Sequence, residues 1–475
     1  LNSHYQTVKP HARWTDLDHG HELYCAGHLI QAAVAWRRAL DDERLLRVAL
    51  RFVDHIDARF GPGRRDATCG HPEIEMALVE LYRATREPRH LELAQQFIDR
   101  RGRQRMRGHA GYGPVYQQDH VPVREATEVA GHAVRQIYLT AGMADLYLER
   151  GEAALRIAMD RLWTDMTERK LYLTGGVGAR EHGEAFGGDY ELPNAAAYAE
   201  TCAAIANIFW NQRMFLLHGD AKYMDILERT LYNGFLSGVG MDGTTFFYAN
   251  PLASDGSTMF NAGRAATRLP WFDCACCPTN VVRLLAGLPG YVYATDADKF
   301  YVNLFMGSEG RGEITDENGQ TLAVTLDQRT RYPWHGAVVL TVQPARPARF
   351  RLCLRIPGWA QGKPVPSELY RDDHTRVRPV DIRLNGQPVS YETELGYVII
   401  TRRWQPGDRI TFTLPMVVRR VTAHPSVREN IDQVALEYGP LVYCVEGADN
   451  GGSVESVTAP TSPVASTAYE ISGYT

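Results

Sequence analysis

From the start of the chain to about residue 290, apolar side chains recur at intervals of three and four, the spacing that gathers them on one face of an α-helix. Leu29, Ala32, Ala33 and Trp36 make one such face. Helices are predicted over about 22–40, 43–60, 72–85, 89–100, 126–149, 151–168, 196–217, 220–238 and 277–290. Most are joined in pairs by short connections containing Gly, Pro or Asp, so helical hairpins in series are expected, either stacked as a solenoid or closed into an α/α toroid. No fixed repeat length runs through them, which disfavours a regular solenoid.

From about Lys299 the period changes to two. Tyr301–Phe305, Ala337–Val342, Arg349–Arg355 and Arg409–Leu414 read as half-buried strands. Asn318-Gly319 and Asn385-Gly386 fall between such runs and are expected as two-residue hairpin turns, because Asn and Gly tolerate positive φ. An antiparallel β-sandwich is the natural packing. The expected division is a helical domain over 1–295, a β-sandwich region over 296–447 and a loose Gly, Ser, Thr and Pro-rich linker or tail over 448–475.

Composition narrows the class. A length of 475 residues calls for more than one core, and 51 Lys+Arg against 56 Asp+Glu give a net charge of −5. That balance argues against a nucleic-acid footprint, and no apolar run is long enough for a membrane span. No charged n-region followed by an apolar stretch opens the chain, so a cytoplasmic protein is expected.

Chemistry is suggested first by the cysteines. Three of the eight, Cys274, Cys276 and Cys277, fall within four residues, far from the even density of a disulfide scaffold. Adjacent cysteines rarely bridge each other, so metal or thiolate chemistry is the better reading of the cluster. Glu200-Thr201-Cys202 offers a further carboxylate and thiol, and soft sulfurs with one carboxylate suit Zn²⁺. Two residues apart on a regular helix, Glu200 and Cys202 would diverge, so joint ligation requires a helix end or an irregular turn there. The segment from Thr174 to Pro193 holds six glycines and four acids, and is either a mobile surface loop or an active-site loop carrying an acid or base. It lacks the Gly-Lys-Ser/Thr of a phosphate loop, and the chain has neither a nucleophile-elbow serine motif nor a His-Glu-x-x-His pair. His28, His71, His120 and His132 lie on or beside helical pairs, whose ends in a toroid gather around one mouth.

The chain resembles glycoside hydrolase family 127, the β-L-arabinofuranosidases. The resemblance rests on Gly70-His71-Pro72-Glu73, Val123-Arg124-Glu125, Gly131-His132-Ala133-Val134-Arg135, Thr174-Gly175-Gly176 with Glu184, Asp189-Tyr190-Glu191-Leu192-Pro193, Glu200-Thr201-Cys202, Phe247-Tyr248-Ala249-Asn250 and Cys274-Ala275-Cys276-Cys277-Pro278. It implies a six-hairpin α/α toroid followed by β-sandwich domains. It also implies a zinc ion held by Glu200, Cys202, Cys276 and Cys277, with Cys276 as nucleophile and Glu184 as general acid/base. His28, His71, His132 and Tyr248 would line the sugar pocket. Against full members of the family, the chain is expected to lack a sizeable N-terminal stretch of the catalytic domain and to end early in the β region.

The expectation is therefore a zinc-dependent retaining glycosidase that releases L-arabinofuranose from an arabinose-containing oligosaccharide or glycoside, with a homodimer as a plausible assembly. Two alternatives are a carbohydrate-binding or structural protein with a structural zinc site, and another α/α-toroid sugar enzyme such as a lyase or epimerase.

Overall fold

The computed structural model describes residues 2–372, 379–452, 454 and 457–459. Most of the linker expected over 448–475 lies outside them. The chain clusters into two compact units, one from the residues up to Tyr172 with Gly176–Leu217 and Gly238–Cys277, the other from Leu173–Gly175, His218–Ser237 and the residues from Pro278 onward.

In the first unit the hairpin periodicity becomes two layers of helices. The helices α1 (Glu22–Leu40), α3 (Ile74–Thr85) and α5 (Ala133–Arg150) pack side by side, while α2 (Arg44–Phe60), α4 (Pro88–Asp99) and α6 (Ala153–Asp165) each lie against the helix that precedes them. Burial follows the layers. In α5 every residue from Ala133 to Leu146 is buried, whereas α2 buries only Leu46, Ala49, Val53, Ile56 and Phe60, one apolar stripe. A helix apolar all round belongs inside and an amphipathic one outside, which is the inner and outer ring of a toroid. The next helix, α7 (Thr201–His218), is buried without a break from Thr201 to Asn211.

Two predicted helices are shorter than their periodicity. The segment 126–149 becomes helical only at Ala133, because Gly131 sits at φ +68 with the Val115 carbonyl 2.0 Å from where a Cβ would be. The segment 220–238 is regular only as α8 (Ala221–Arg229), started by the Asp220 side chain accepting from Lys222 N–H at 3.0 Å, and then widens over Thr230–Phe235. The last helix, α9, runs over Cys276–Gly287.

Among the described residues the second unit holds three sheets. A five-stranded sheet centres on Ala348–Arg355 and Tyr397–Trp404, a six-stranded sheet on Thr321–Thr330, Ala337–Pro344 and Asp408–Thr413, and a four-stranded sheet on Val418–Ala423. Pairing is antiparallel except between Lys299–Val302 and Ala348–Arg355. Alternate residues of the two larger sheets, among them Phe300, Val302, Leu352, Ile400, Val324, Leu326, Leu340 and Ile410, meet in one core, as sandwich packing requires. The two expected hairpin turns differ in outcome. Asn385-Gly386 is a two-residue turn with both φ positive between paired Leu384 and Gln387 strands. Asn318-Gly319 instead lies in a longer loop between paired Thr315 and Thr321, because the Asp316 carboxylate accepts from Asn318 and Gln320 N–H, each at 2.9 Å, and organises the turn itself.

This unit also buries charge. The Glu437 carboxylate, fully buried, accepts from Arg229 at 2.7 Å and from Arg419. Burial alone would raise its pKa, but the Arg229 and Arg419 charges carry it below the usual value of 4.5. Glu437→Gln is expected to cost roughly 3–5 kcal/mol, read as a lower denaturation midpoint, because it leaves buried Arg229 without its counter-charge and Arg419 with Asp372 alone. A carboxylate with a depressed folded pKa stabilises fully above its unfolded value, near 4.5, and this contribution fades as pH falls through the folded value. The mutant should therefore lose its difference from wild type in acid.

Candidate active site

The residues singled out by sequence converge because they sit at helix starts. His71 and Glu73 directly precede α3, His132 is the residue before α5, Glu200 directly precedes α7, and Cys276 and Cys277 open α9. The objection to Glu200 and Cys202 acting together is removed by position. Glu200 lies just outside α7, after Ala199 at φ +40, and Cys202 lies in the first turn, so the two are not on one regular helix.

Four of these groups form one buried cluster. The ligand atoms of Glu200, Cys202, Cys276 and Cys277 all lie within 4.8 Å of one another. Cys202 Sγ is 3.5 Å from Cys277 Sγ, Cys276 Sγ is 3.9 Å from Cys277 Sγ, and Glu200 Oε1 is 3.7 Å from Cys276 Sγ and 3.8 Å from Cys277 Sγ. Cys202, Cys277 and Glu200 are buried, whereas Cys276 is partly open to solvent. Burial pushes Cys202, Cys277 and Glu200 well up, and hydrogen bonding to Cys202 and Cys274 raises Cys276. The exposed Cys274 goes the other way, lowered to about 6 chiefly by its hydrogen bond with Cys276. A buried set of one carboxyl and three thiols with raised pKa values is a set that a cation would ionise.

Beside the cluster stands a second carboxyl group. Glu184, Glu200 and His132 place ligand atoms within 4.8 Å of one another. Glu184 Oε2 accepts from His132 Nε2 at 3.0 Å and from the Tyr248 hydroxyl at 3.5 Å. Burial pushes Glu184 up, yet the hydrogen bond and charge of His132 bring it net below its ordinary value, while the neighbouring Glu184 charge helps raise Glu200. Two adjacent carboxyls are thus shifted in opposite directions, a common arrangement where acid and base roles must be separated. Glu184 and Gly183 both lie at positive φ, +49 and +72, so the glycine-rich loop holds its acid in a strained backbone conformation of the kind that collects at functional sites.

A chain of rings continues from Glu184. His132 contacts His71 with centroids 5.9 Å apart, His71 contacts Tyr24 at 4.3 Å, and Tyr24 contacts His28 at 4.5 Å. The His28 Nδ1 is 3.5 Å from Glu73, which is fully buried, and Gly27 makes room for it, since a Cβ there would be 2.7 Å from Glu73 Cγ. His28, His71, His132 and Tyr248 are therefore on one continuous wall with the carboxyl and thiol groups. His120 is not part of it; its electrostatic partners are Glu128 and Asp119. Sequence patterning gives no role to Tyr24, which contacts His71 and His28, to Tyr116, 5.5 Å from His132, or to Glu73. Glu73 was present in the Gly-His-Pro-Glu motif, but the tyrosines carry no local pattern that separates a wall residue from a core residue.

An open cleft of about 470 Å³ reaches Glu184 from outside, lined by His109, Tyr116, Glu181, His182, Gly183 and Glu184. Paired helices whose starts surround such a carboxyl, together with strands arranged in sheets, fit a glycoside hydrolase, and the family matches establish that class. Residues 2–290 match the β-L-arabinofuranosidase GH127 catalytic domain, 299–416 its middle domain and 418–470 the family's C-terminal domain. The chain belongs to glycoside hydrolase family 127. A non-reducing end β-L-arabinofuranosidase of Bifidobacterium longum subsp. longum is 35% identical over 93% of this chain and 67% of its own length. The structure of a GH127 β-L-arabinofuranosidase from Geobacillus stearothermophilus T6 superposes with a TM-score of 0.87 at 42% identity, covering 95% of this chain and 71% of that one. A solved GH127 β-arabinofuranosidase gives 0.84 at 42% identity, covering 92% and 66%. The chain spans about two thirds of the length of these relatives. Among the described residues no helix is long and apolar enough to cross a membrane.

Proposed function

We propose that this chain is a zinc-dependent, retaining glycoside hydrolase that releases L-arabinofuranose, with Cys276 as nucleophile and Glu184 as general acid/base. The observation that carries the reading is the adjacency of a partly accessible thiol within a buried donor set and a second, hydrogen-bonded carboxyl beside Glu200. The donor set fits zinc in spacing as well as in chemistry. A tetrahedron with metal–sulfur bonds of about 2.3 Å has edges of roughly 3.8 Å; four of the six donor separations here run from 3.5 to 3.9 Å, and all lie within 4.8 Å. Zinc held by Glu200, Cys202, Cys276 and Cys277 would keep the sulfurs ionised at neutral pH.

The chain's own groups supply the rest. The Cys276 sulfur attacks the anomeric carbon while Glu184 delivers a proton to the leaving oxygen; the C–O bond breaks as the C–S bond forms. Glu184, now a carboxylate, takes a proton from the water that cleaves the thioglycosyl bond, and two inversions give net retention. His132 orients Glu184 throughout. A sugar in the site displaces water from the partly exposed Glu184 carboxyl and thereby raises its pKa toward the acid form that the first step needs. His28, His71 and Tyr248 offer hydrogen bonds to the furanose hydroxyls.

The test is product stereochemistry together with metal content. Nitrophenyl β-L-arabinofuranoside should be turned over with the β-anomer appearing first by NMR, and the purified chain should carry about one zinc per molecule. Inverted product, or full activity after complete removal of metal, would sink the reading. Cys202→Ala removes one sulfur without touching the nucleophile, and should lower zinc affinity by at least about tenfold in a competition titration with a chelator.

A further inference from the structure

The sulfur donor set leaves part of Glu200 unused. Its Oε1 lies 3.7 Å from Cys276 Sγ and 3.8 Å from Cys277 Sγ, whereas its Oε2 is buried without a hydrogen-bond partner. Glu200 as a whole is 3% exposed, and a carboxyl oxygen shut away from both water and donors is costly unless something else meets it. Ligand atoms of His132 and Glu184 lie within 4.8 Å of Glu200 and of each other, and this second set shares only Glu200 with the first. It is more than a cluster of acids, because His132, also buried, contributes a nitrogen donor.

Spacing, charge and donor type all favour a divalent ion there. His132 Nε2 and Glu184 Oε2 are 3.0 Å apart, which is the edge of an octahedron with zinc–nitrogen and zinc–oxygen bonds of about 2.1 Å. A carboxylate with one oxygen on each of two donor sets is the bridge of two-metal sites, whose ions stand about 3.5–4 Å apart. When the sulfur set holds zinc, its four ligand charges outweigh the two of the ion, and Glu184 adds another. The buried Arg135, whose charge acts on Glu184, offsets only one of them. A second dication is drawn by that excess at short range and low dielectric. One imidazole with two carboxylates suits Zn²⁺, whereas Mg²⁺ takes oxygen ligands and keeps its waters. The hold is weak. His132 Nδ1 is buried without a hydrogen-bond partner, and an imidazole that cannot donate its other N–H binds metal about 10–100-fold less tightly.

We propose that His132, Glu184 and Glu200 form a second, weaker zinc site, filled after the sulfur set, whose occupation stops hydrolysis. Binding shifts the imidazole proton from Nε2 to Nδ1 and ties up the Glu184 oxygen that gives and takes the proton. The loss of activity rests on the proposed role of Glu184, whereas ion binding does not, so the two are measured apart. Equilibrium dialysis of the zinc-loaded chain against rising Zn²⁺, with bound metal read by mass spectrometry, should show a second equivalent taken up at least about 100-fold more weakly than the first. Glu184→Gln and His132→Gln should each remove the second step and keep the first, which shows on the same sample that the variant still holds its sulfur set. Turnover of nitrophenyl β-L-arabinofuranoside by the wild type should fall by about tenfold or more, with the same midpoint as the second step, and Mg²⁺ at the same concentration should leave it unchanged. Uptake that stops at one ion held by the sulfur set, or a second step unchanged in both variants, overturns the site. A second ion bound with turnover unchanged overturns the inhibition; if Glu184→Gln also retains hydrolysis, the catalytic role of Glu184 has failed rather than the site. A wild type that takes up only the ion removed by those two substitutions strikes the sulfur-set reading and leaves the second site standing.

Discussion

Cys276→Ser should reduce turnover of nitrophenyl β-L-arabinofuranoside by on the order of 10³-fold or more while the circular dichroism spectrum of the chain is unchanged. A serine hydroxyl has nearly the same shape, but its pKa lies far above that of a thiol, so it supplies almost no anion to attack the anomeric carbon. The substitution also takes one sulfur from the donor set, and loss of metal alone could lower the rate. Cys202→Ser separates the effects, because it removes a sulfur that is buried and faces Cys277. When zinc is added to saturation, the Cys202 variant should recover a measurable part of its rate and the Cys276 variant should not. An electrophilic arabinofuranose analogue, followed by peptide mass spectrometry, should label Cys276 in the wild type. Label on Glu184 instead, or near-wild-type turnover in Cys276→Ser, would remove the thiolate from the mechanism.

The second large effect is expected at Glu184. Glu184→Gln keeps a hydrogen-bonding group beside His132 and Tyr248 but can neither give nor take the required proton, and a loss of about 10²–10⁴-fold is the usual contribution of such a group. The loss should depend on the leaving group. A nitrophenolate departs without much protonation, whereas a sugar alkoxide does not, so a disaccharide substrate should suffer more than the nitrophenyl glycoside. Breakdown of the thioglycosyl bond also needs a base to activate water. Azide needs none, and should restore turnover of the nitrophenyl substrate and yield a glycosyl azide of retained configuration. A uniform loss across leaving groups with no azide rescue would show that Glu184 positions the site rather than transferring the proton.

The degree to which these residues could be found in advance follows from how local their signals are. Cys276 and Cys277 stand out because adjacent thiols before a proline are rare in packed helices, and Glu184 stands out within a glycine-rich loop that has no other obvious use. His71 and His132 follow glycines at helix starts, which a toroid gathers together. Tyr116 and His182, which line the cleft at Glu184, could not be separated from ordinary loop residues, since that cleft joins segments far apart in sequence. The Asn318-Gly319 turn misled because its dipeptide suits a tight hairpin, while the Asp316 carboxylate two residues earlier satisfies more backbone N–H groups in a longer loop.

Sequence by itself determined the change from helical to strand periodicity near residue 299, the pairing of helices, and which side chains are proposed as chemically active, because side-chain spacing and residue type are properties of a few neighbouring positions. It could not determine which helices are buried on every side, that Glu200 lies just outside α7 rather than within it, or that residues 218–237 cluster with strands beyond residue 278. Those outcomes depend on contacts between segments far apart in the chain. The same is true of the opposite pKa shifts of Glu184 and Glu200. Each carboxyl is ordinary in isolation, and only burial, His132 and their mutual proximity lower the one and raise the other.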